Sequence, residues 1–242
     1  MKWHDHVQAY KDTPEAHREW VAHFTQRVND TPWLKAHRDF VEQHVYGFGE
    51  RAFHWMWKLL VDELPNPFSF LEIGVYKGQV PSLVRLCADK ARKQADIYGL
   101  TMLSSFSGPK GEFPKFPETD YYDHIKNLHQ HFKQEMPFLI LGDSTDPQVI
   151  EAAEKHAPYD VVYVDGGHEY DIVFSDLQHY PEMVKVGGYL VVDDASCLLN
   201  MYQGAFAGIM QVSQAVYNTV EFDERFEHQL AVMHNRVWKR HA

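Results

Sequence analysis

Four short stretches set acids, glycines and an imidazole directly after apolar runs. VVYVDGGH (161–168) ends a β-forming run on Asp165, Gly166, Gly167 and His168, and GYLVVDDAS (188–196) ends another on Asp193 and Asp194. FLEIGVYKG (70–78) carries Glu72, Gly74 and Gly78, and LILGDST (139–145) carries Asp143 and Ser144. If the strands ending in Asp165 and in Asp193–Asp194 are neighbours, three carboxylates come within a few ångströms of one another. Like charges so gathered are costly unless a cation joins them. Hard oxygen ligands, few in number and leaving room for water and substrate, suit magnesium or a similar divalent ion. A lone acid at a strand end can instead cap the next helix, and an acid pair can make a turn. Asp143 and Ser144 can likewise cap, because a helix-forming run follows them.

Gly74 has no Cβ, so it can take a tight turn and admit a ligand close to the backbone. The helix entered after Gly78 begins with N–H groups that lack partners. This is not the dinucleotide spacing GxGxxG: Tyr76 stands where its second glycine would fall and would crowd a diphosphate.

The elements that must hold these residues follow from hydrophobic periodicity. Residues 1–66 read as a helical extension, with Pro14 and Pro32 at helix starts. Trp20, Val21, Phe24 and Val28 form one stripe, and Phe53, Met56, Trp57, Leu60 and Val61 a second. Such stripes are core or an interface; alternatively they make a lid or a homo-oligomer contact over an active site. LPNPF (64–68) breaks the helical pattern. From 67 to 242 the texture becomes βα alternation. Strands are expected at 68–75, 97–102, 138–142, 161–165 and 188–194, with helices near 81–94, 122–135, 146–157 and 171–185. Short apolar strands alternating with helices predict an α/β, Rossmann-like doubly wound, mostly parallel sheet of about seven strands. The tail reads as two strands, TVEFDERFEH and LAVMHNRVWKR, forming an antiparallel edge.

Composition narrows the function. Of 242 residues, 45% are hydrophobic, and 23 Lys plus Arg against 34 Asp plus Glu give a formal charge of −11. No basic run exists to displace counterions, so nucleic acid is not an expected partner. The two cysteines, Cys87 and Cys197, make no disulfide framework or CxxC pair, and the N-terminal residues show no apolar signal segment. No stretch has the apolar length of a membrane helix, and a cytoplasmic location is expected. The 16 histidines are scattered; His124, His129 and His131 come closest to a ligand spacing but lack the HExxH glutamate.

DGGHEYDIVFSDL followed by VGGYLVVDDA resembles the metal-dependent O-methyltransferases of natural-product and sugar biosynthesis. That group is similar to the macrocin and aminocoumarin O-methyltransferases and to the cephalosporin-hydroxylase-like family. The likeness runs from Phe68 to Asp194 in the order motif I, GDS, DGxH and GGxxxxDD. It implies a class I S-adenosylmethionine (SAM) methyltransferase in which Asp165, Asp193 and Asp194 bind Mg2+. Glu72, Gly74 and Gly78 would hold the methionyl end of SAM, and Asp143 with Ser144 would flank adenine. The strand-two end, YGLTML, departs from the pattern, with Leu100 and Thr101 where an acid usually meets the ribose. Thr101 could make a single weaker contact, or Glu112 or Asp120 could reach in from the next loop. The expected substrate is a small-molecule hydroxyl whose pKa the ion lowers, with His168 as the base that takes its proton. His168 could equally cap the following helix or bond a neighbouring loop. The loop from Ser104 to Asp123 is a natural lid, and Phe106, Phe113, Phe116, Tyr121 and Tyr122 either wall the acceptor pocket or pack the loop down. Two other classes fit the same frame: a nicotinamide-dependent Rossmann enzyme, against which Tyr76 counts, and a non-catalytic relative.

Overall fold

The computed structural model describes residues 2–103, 121–201 and 205–242. Four helices open the chain: α1 (Trp3–Ala9), α2 (Pro14–Asn29), α3 (Pro32–His44) and α4 (Ala52–Glu63). Pro14 and Pro32 are the first residues of their helices, where a missing N–H costs nothing, and the Thr13 side chain accepts from the Ala16 N–H at 3.2 Å to cap α2. Val28, Met56, Trp57 and Leu60 from this region are buried in one cluster with Phe70, Tyr163, Val191 and Val237 of the sheet. Both apolar stripes read from the sequence therefore pack against this sheet face, with Trp20 and Val21 partly buried at its margin.

The remaining elements alternate. Strands β1 (Phe68–Ile73), β2 (Ala95–Thr101), β3 (Phe138–Leu141), β4 (Tyr159–Val164) and β5 (Val184–Val192) are parallel. Helices α5 (Gln79–Ala91), α6 (Tyr122–His131), α7 (Pro147–Glu154) and α8 (Tyr170–His179) connect them. After α9 (Met210–Tyr217) the chain ends in the hairpin of β6 (Phe226–Val232) and β7 (Asn235–Arg240), which pairs antiparallel to β5. The seven strands lie in the order β3-β2-β1-β4-β5-β7-β6. Side chains alternate between faces, so Phe70 joins the α1–α5 side while Leu71 and Ile73 join a second cluster with Val149, Val173 and Val212 beneath α7–α9. The expected doubly wound fold with an antiparallel edge is therefore present.

Two local expectations are corrected. The tail's strands divide at Met233–His234, inside the run read as a single second strand, because Met233 adopts a left-handed φ of 52° and turns the chain. Residues 219–225, read as the start of a strand, lie outside β6, and helix α9 was not anticipated. Both errors have one cause: valines and aromatics carry strand propensity, and tertiary packing overrides it.

Helices α3, α4 and α5 are tied together by a buried polar chain. His37 Nδ1 lies 2.9 Å from His54 Nε2, His37 Nε2 lies 3.1 Å from Ser82 Oγ, and Ser82 Oγ donates to Gln134 Oε1 at 2.7 Å. Because Ser82 spends its proton on Gln134, it accepts from His37 Nε2–H, and His37 Nδ1 then accepts from His54 Nε2–H. Burial pushes the His37 imidazole down to about 3, so this relay is neutral. Of the three histidines nearest a ligand spacing, His129 is buried with Nδ1 donating to the Ile125 carbonyl at 2.8 Å, and the His131 ring stacks on Phe40 with centroids 3.9 Å apart. His124 lies edge-on to Tyr46. Among the described residues, no helix is long and apolar enough to cross a membrane.

Candidate active site

The chain lays down β1, moves outward through β2 and β3, then returns to place β4 on the other side of β1. That reversal opens a crevice at the carboxyl ends of β1 and β4, where ligands of open α/β sheets bind. The backbone is unusually close there. Gly74, with φ 96°, donates to the Leu100 carbonyl at 2.9 Å, and Asp165 N–H donates to the Ile73 carbonyl at 2.8 Å. A Cβ on residue 74 would overlap the Asp165 carbonyl oxygen. Gly74 was expected to admit a ligand; what it visibly admits is the backbone of the β4 loop. Gly78 is left-handed at φ 88° and caps α5 as expected, with the Ile125 side chain against it.

The strands ending in the acids are neighbours. Val164 pairs with Val192 in register, and Asp193 N–H donates to the Val164 carbonyl at 3.0 Å, so Asp165 and Asp193 leave the sheet side by side. Asp165 lies within hydrogen-bonding reach of Asp193. Glu72, one strand over in β1, is buried with Oε2 lacking a hydrogen-bond partner. Burial, then the Asp193 charge, raises its carboxyl well above the usual range. Glu72 thus faces the acid cluster. For Asp165, burial and the charges of Asp193, Glu72 and Asp194 act together to raise its carboxyl well above the usual range. Asp193 goes the other way: burial opposes ionisation, but the His234 imidazolium and the Asp165 hydrogen bond hold its pKa below the usual value.

His234, at the β6–β7 turn, was not anticipated. Its Nδ1 lies 2.8 Å from Asp193 Oδ1 and 3.0 Å from Asp194 Oδ1, and its Nε2 lies 3.3 Å from Glu50 Oε2. Burial works against its protonation, yet these carboxylates, Asp193 foremost, push its pKa up to about 12. Asn235 Nδ2 donates to Asp193 Oδ1. A signal existed in the sequence: MHN is a polar pair amid a β-forming run, which marks a hairpin turn. Among the described residues, Asp193, Asp194 and His234 are the group of three whose ligating atoms all lie within 4.8 Å of one another. Asp165 adjoins this group without belonging to it.

His168 approaches the same cluster, with Nε2 3.4 Å from Asp194 Oδ2 and its side chain 39% exposed. The Gly166–Gly167 joint therefore turns the imidazole over the acid pair, and the cap of α8 is Glu169 instead. A small hollow is lined by Asp165, Gly166, His168, Asp193 and Asp194. The roomier cavity of about 430 Å³, between Tyr170, Leu198 and Tyr217, contains none of these groups.

The residues expected beside adenine and ribose make local contacts of their own. Asp143 Oδ1 accepts from Thr145 N–H at 2.9 Å and from the Thr145 hydroxyl at 2.8 Å, an Asx turn, while Asp146 caps α7. Thr101 is buried and its Oγ1 accepts from Leu103 N–H at 3.0 Å. The Ser144 carbonyl accepts from the hydroxyl of Tyr180, the residue just after α8, at 2.9 Å. Glu112, Asp120, Phe106, Phe113 and Phe116 lie outside the described residues. Tyr121 is buried edge-on to Tyr76.

Residues 71–195 match the family described as methyltransferase domain, more than half of the chain. The chain belongs to that methyltransferase family. The match decides against the nicotinamide alternative. A relative, the uncharacterized protein R132 of Acanthamoeba polyphaga mimivirus, is 26% identical over 160 residues, and the alignment spans 64% of each chain. Three solved structures share the fold. The calicheamicin methyltransferase CalS11 aligns over 96% of both chains at 14% identity with a TM-score of 0.57. The O-methyltransferase NovP aligns over 78% of this chain and 80% of its own at 18% identity and 0.56. MycE, in complex with Mg and S-adenosylhomocysteine (SAH), aligns over 81% of this chain and 51% of its own at 16% identity and 0.50.

One buried group of this methyltransferase domain yields a pH prediction. Asp176 on α8 is fully buried, with Gly166 beside it. Burial, reinforced by the Asp143 charge and opposed by the Ser144 hydroxyl, raises its carboxyl to about 7. In the unfolded chain an aspartate titrates near pH ~3.9. Between those values the folded state binds the extra proton, so Asp176 makes stability fall as pH rises from about 4 to about 7. Asp176→Asn is expected to flatten that slope and to be at least as stable as the wild type at pH ~8, as urea unfolding across this range would show.

Proposed function

We propose that this protein is a SAM-dependent O-methyltransferase that acts on a hydroxyl of a small molecule, such as a sugar or natural product, with the help of a divalent ion. The observation that carries this reading is the convergence of Asp165, Asp193 and Asp194 at adjoining strand ends, beside the crevice made by Gly74. The residues fit a cation. The carboxylates of Glu72, Asp165, Asp193 and Asp194 crowd one another, His234 lies beside the last two and Glu50 beside His234, and Glu72 Oε2 is buried without a partner. Such an excess of acid suits a divalent ion with oxygen ligands. Asp193 and Asp194, with Asp165 adjoining, would hold that ion, and the β1–α5 turn from Gly74 to Gly78 would receive the methionyl end of SAM. NovP and CalS11 are methyltransferases, and MycE is a methyltransferase in complex with Mg and SAH, which supports the same reading.

When bound, SAM supplies an electrophilic methyl group and the ion lowers the pKa of an alcohol. The chain's own residues supply alignment and a proton sink. His168, half-exposed over the acid pair and 3.4 Å from Asp194 Oδ2, receives the acceptor's proton at its ring nitrogen while Asp194 steadies the imidazolium formed. Thr101, whose hydroxyl proton is not used by Leu103 N–H, would offer the ribose one donor.

Calorimetry with SAH, with and without Mg2+, tests the reading. SAH binding in the micromolar range, strengthened by the ion, supports it, and silence toward both overturns it. Activity separates the base from the ion site: His168→Ala is expected to lower kcat by about 100-fold while leaving ion affinity within a few-fold. A kcat within a few-fold of wild type would remove His168 from the mechanism.

A further inference from the structure

The hairpin register brings a nitrogen ligand to the acids. Val192 pairs with Arg236 across β5 and β7, so continuing the antiparallel count sets Asn235 opposite Asp193 and His234 opposite Asp194. The Ala195 N–H donates to the His234 carbonyl at 2.8 Å and locks that register one step beyond the strands. His234 is 5% exposed, and its ring is held edge-on by Phe53 and Phe206, at centroid distances of 4.7 and 5.1 Å. Its Nδ1 sits 2.8 and 3.0 Å from one oxygen each of Asp193 and Asp194. In an octahedral sphere with bonds near 2.1 Å, adjacent ligand atoms stand about 3 Å apart, which is the spacing seen here. On the far side of the ring, Nε2 faces Glu50 Oε2 at 3.3 Å. A divalent ion bound here would displace the Nδ1 proton, and the proton remaining on Nε2 would face Glu50.

We propose that His234 Nδ1, braced by Glu50, is a ligand of the divalent ion together with Asp193 and Asp194, and that this nitrogen tunes the site toward Mn2+ and similar transition ions over Mg2+. The inference rests on the ion site of the proposed function and adds a ligand and a metal preference to it. Imidazole suits later first-row ions, whereas an all-oxygen set suits Mg2+. Glu50 enters from the segment between α3 and α4, so the N-terminal helical region reaches the ion site through this couple.

Mn2+ added to the full chain, followed by pulsed electron paramagnetic resonance and by calorimetry, tests the assignment. The wild type is expected to show nitrogen coupling to Mn2+. His234→Gln should abolish the coupling and weaken Mn2+ binding by about 10- to 100-fold, with a loss of only a few-fold for Mg2+. Glu50→Gln should keep the coupling and weaken Mn2+ by about 10-fold. The wild-type spectrum and the Glu50 variant decide the question even if His234→Gln fails to fold. Mn2+ bound without nitrogen coupling, or bound as tightly by His234→Gln, would overturn the ligand assignment and leave the oxygen-ligated ion of the proposed function standing. If neither ion binds the wild type, both readings fall.

Discussion

Asp165→Asn is expected to lower methyl transfer by about 1,000-fold, and in chelator to make the protein no less stable than the wild type. The two effects share one cause. Asp165 is crowded by Asp193, Glu72 and Asp194, so burial and like charges disfavour its ionised form. An amide of the same shape donates to Asp193 without adding charge, which relieves on the order of 1 kcal/mol of repulsion. With the ion bound, that same negative charge is what the cation is attracted to. Several kcal/mol of charge stabilisation are lost with it, and each ~1.4 kcal/mol is tenfold in rate. Saturating divalent ion should therefore stabilise the wild type by more than it stabilises the variant, through ordinary ligand linkage. Urea unfolding with and without chelator, beside turnover of a hydroxyl acceptor, reads both effects. A variant that keeps its rate within a few-fold, or that unfolds more readily in chelator, would show that Asp165 is a structural acid.

Gly74→Ala should cost about 3 kcal/mol or more of folding stability and remove SAH binding with it. The residue holds φ at 96°, and an added Cβ would overlap the Asp165 carbonyl and crowd Gly166. No flexible side chain is available to move aside, because the obstruction is backbone on the neighbouring strand end. The β4 loop would have to leave β1, carrying Asp165 and His168 away from Asp193 and Asp194. Gly187→Ala is the matched control: its φ of 85° is also left-handed, but nothing lies within 4 Å of its Cβ position, so it bears the conformational cost alone. Chemical denaturation of the pair separates strain from collision. Equal losses in the two variants would mean that the β1–β4 crevice yields easily.

The alternation of apolar strands with amphipathic helices was legible because each element's period is a local property. The same holds for the acids and glycines: Asp165, Asp193, Asp194, Gly74 and Gly78 stand next to strand ends, and those ends are visible as the last valine or isoleucine of a run. Neighbouring placement of β4 and β5 followed from the strong tendency of sequential βαβ strands to pair. Asp143 and Thr101 also take local backbone partners, which short polar side chains do readily in turns and which no apolar period announces. One reading failed for an equally physical reason. The tail was divided wrongly because the β propensity of its valines and aromatics runs on through Met233 and His234, while the turn depends on one left-handed residue.

By itself, the sequence determined the strand-end chemistry and the class of fold, since both rest on periodicity and on the residues that punctuate it. Tertiary structure decided which further groups meet that chemistry. Glu72, three strands from the chain's last hairpin, turned inward to the acids; His234 and Asn235 arrived through the β5–β7 register; and Glu50 arrived from the helical region far upstream. Register and approach of this kind are set by long-range packing of whole elements, and no local pattern of side chains encodes them.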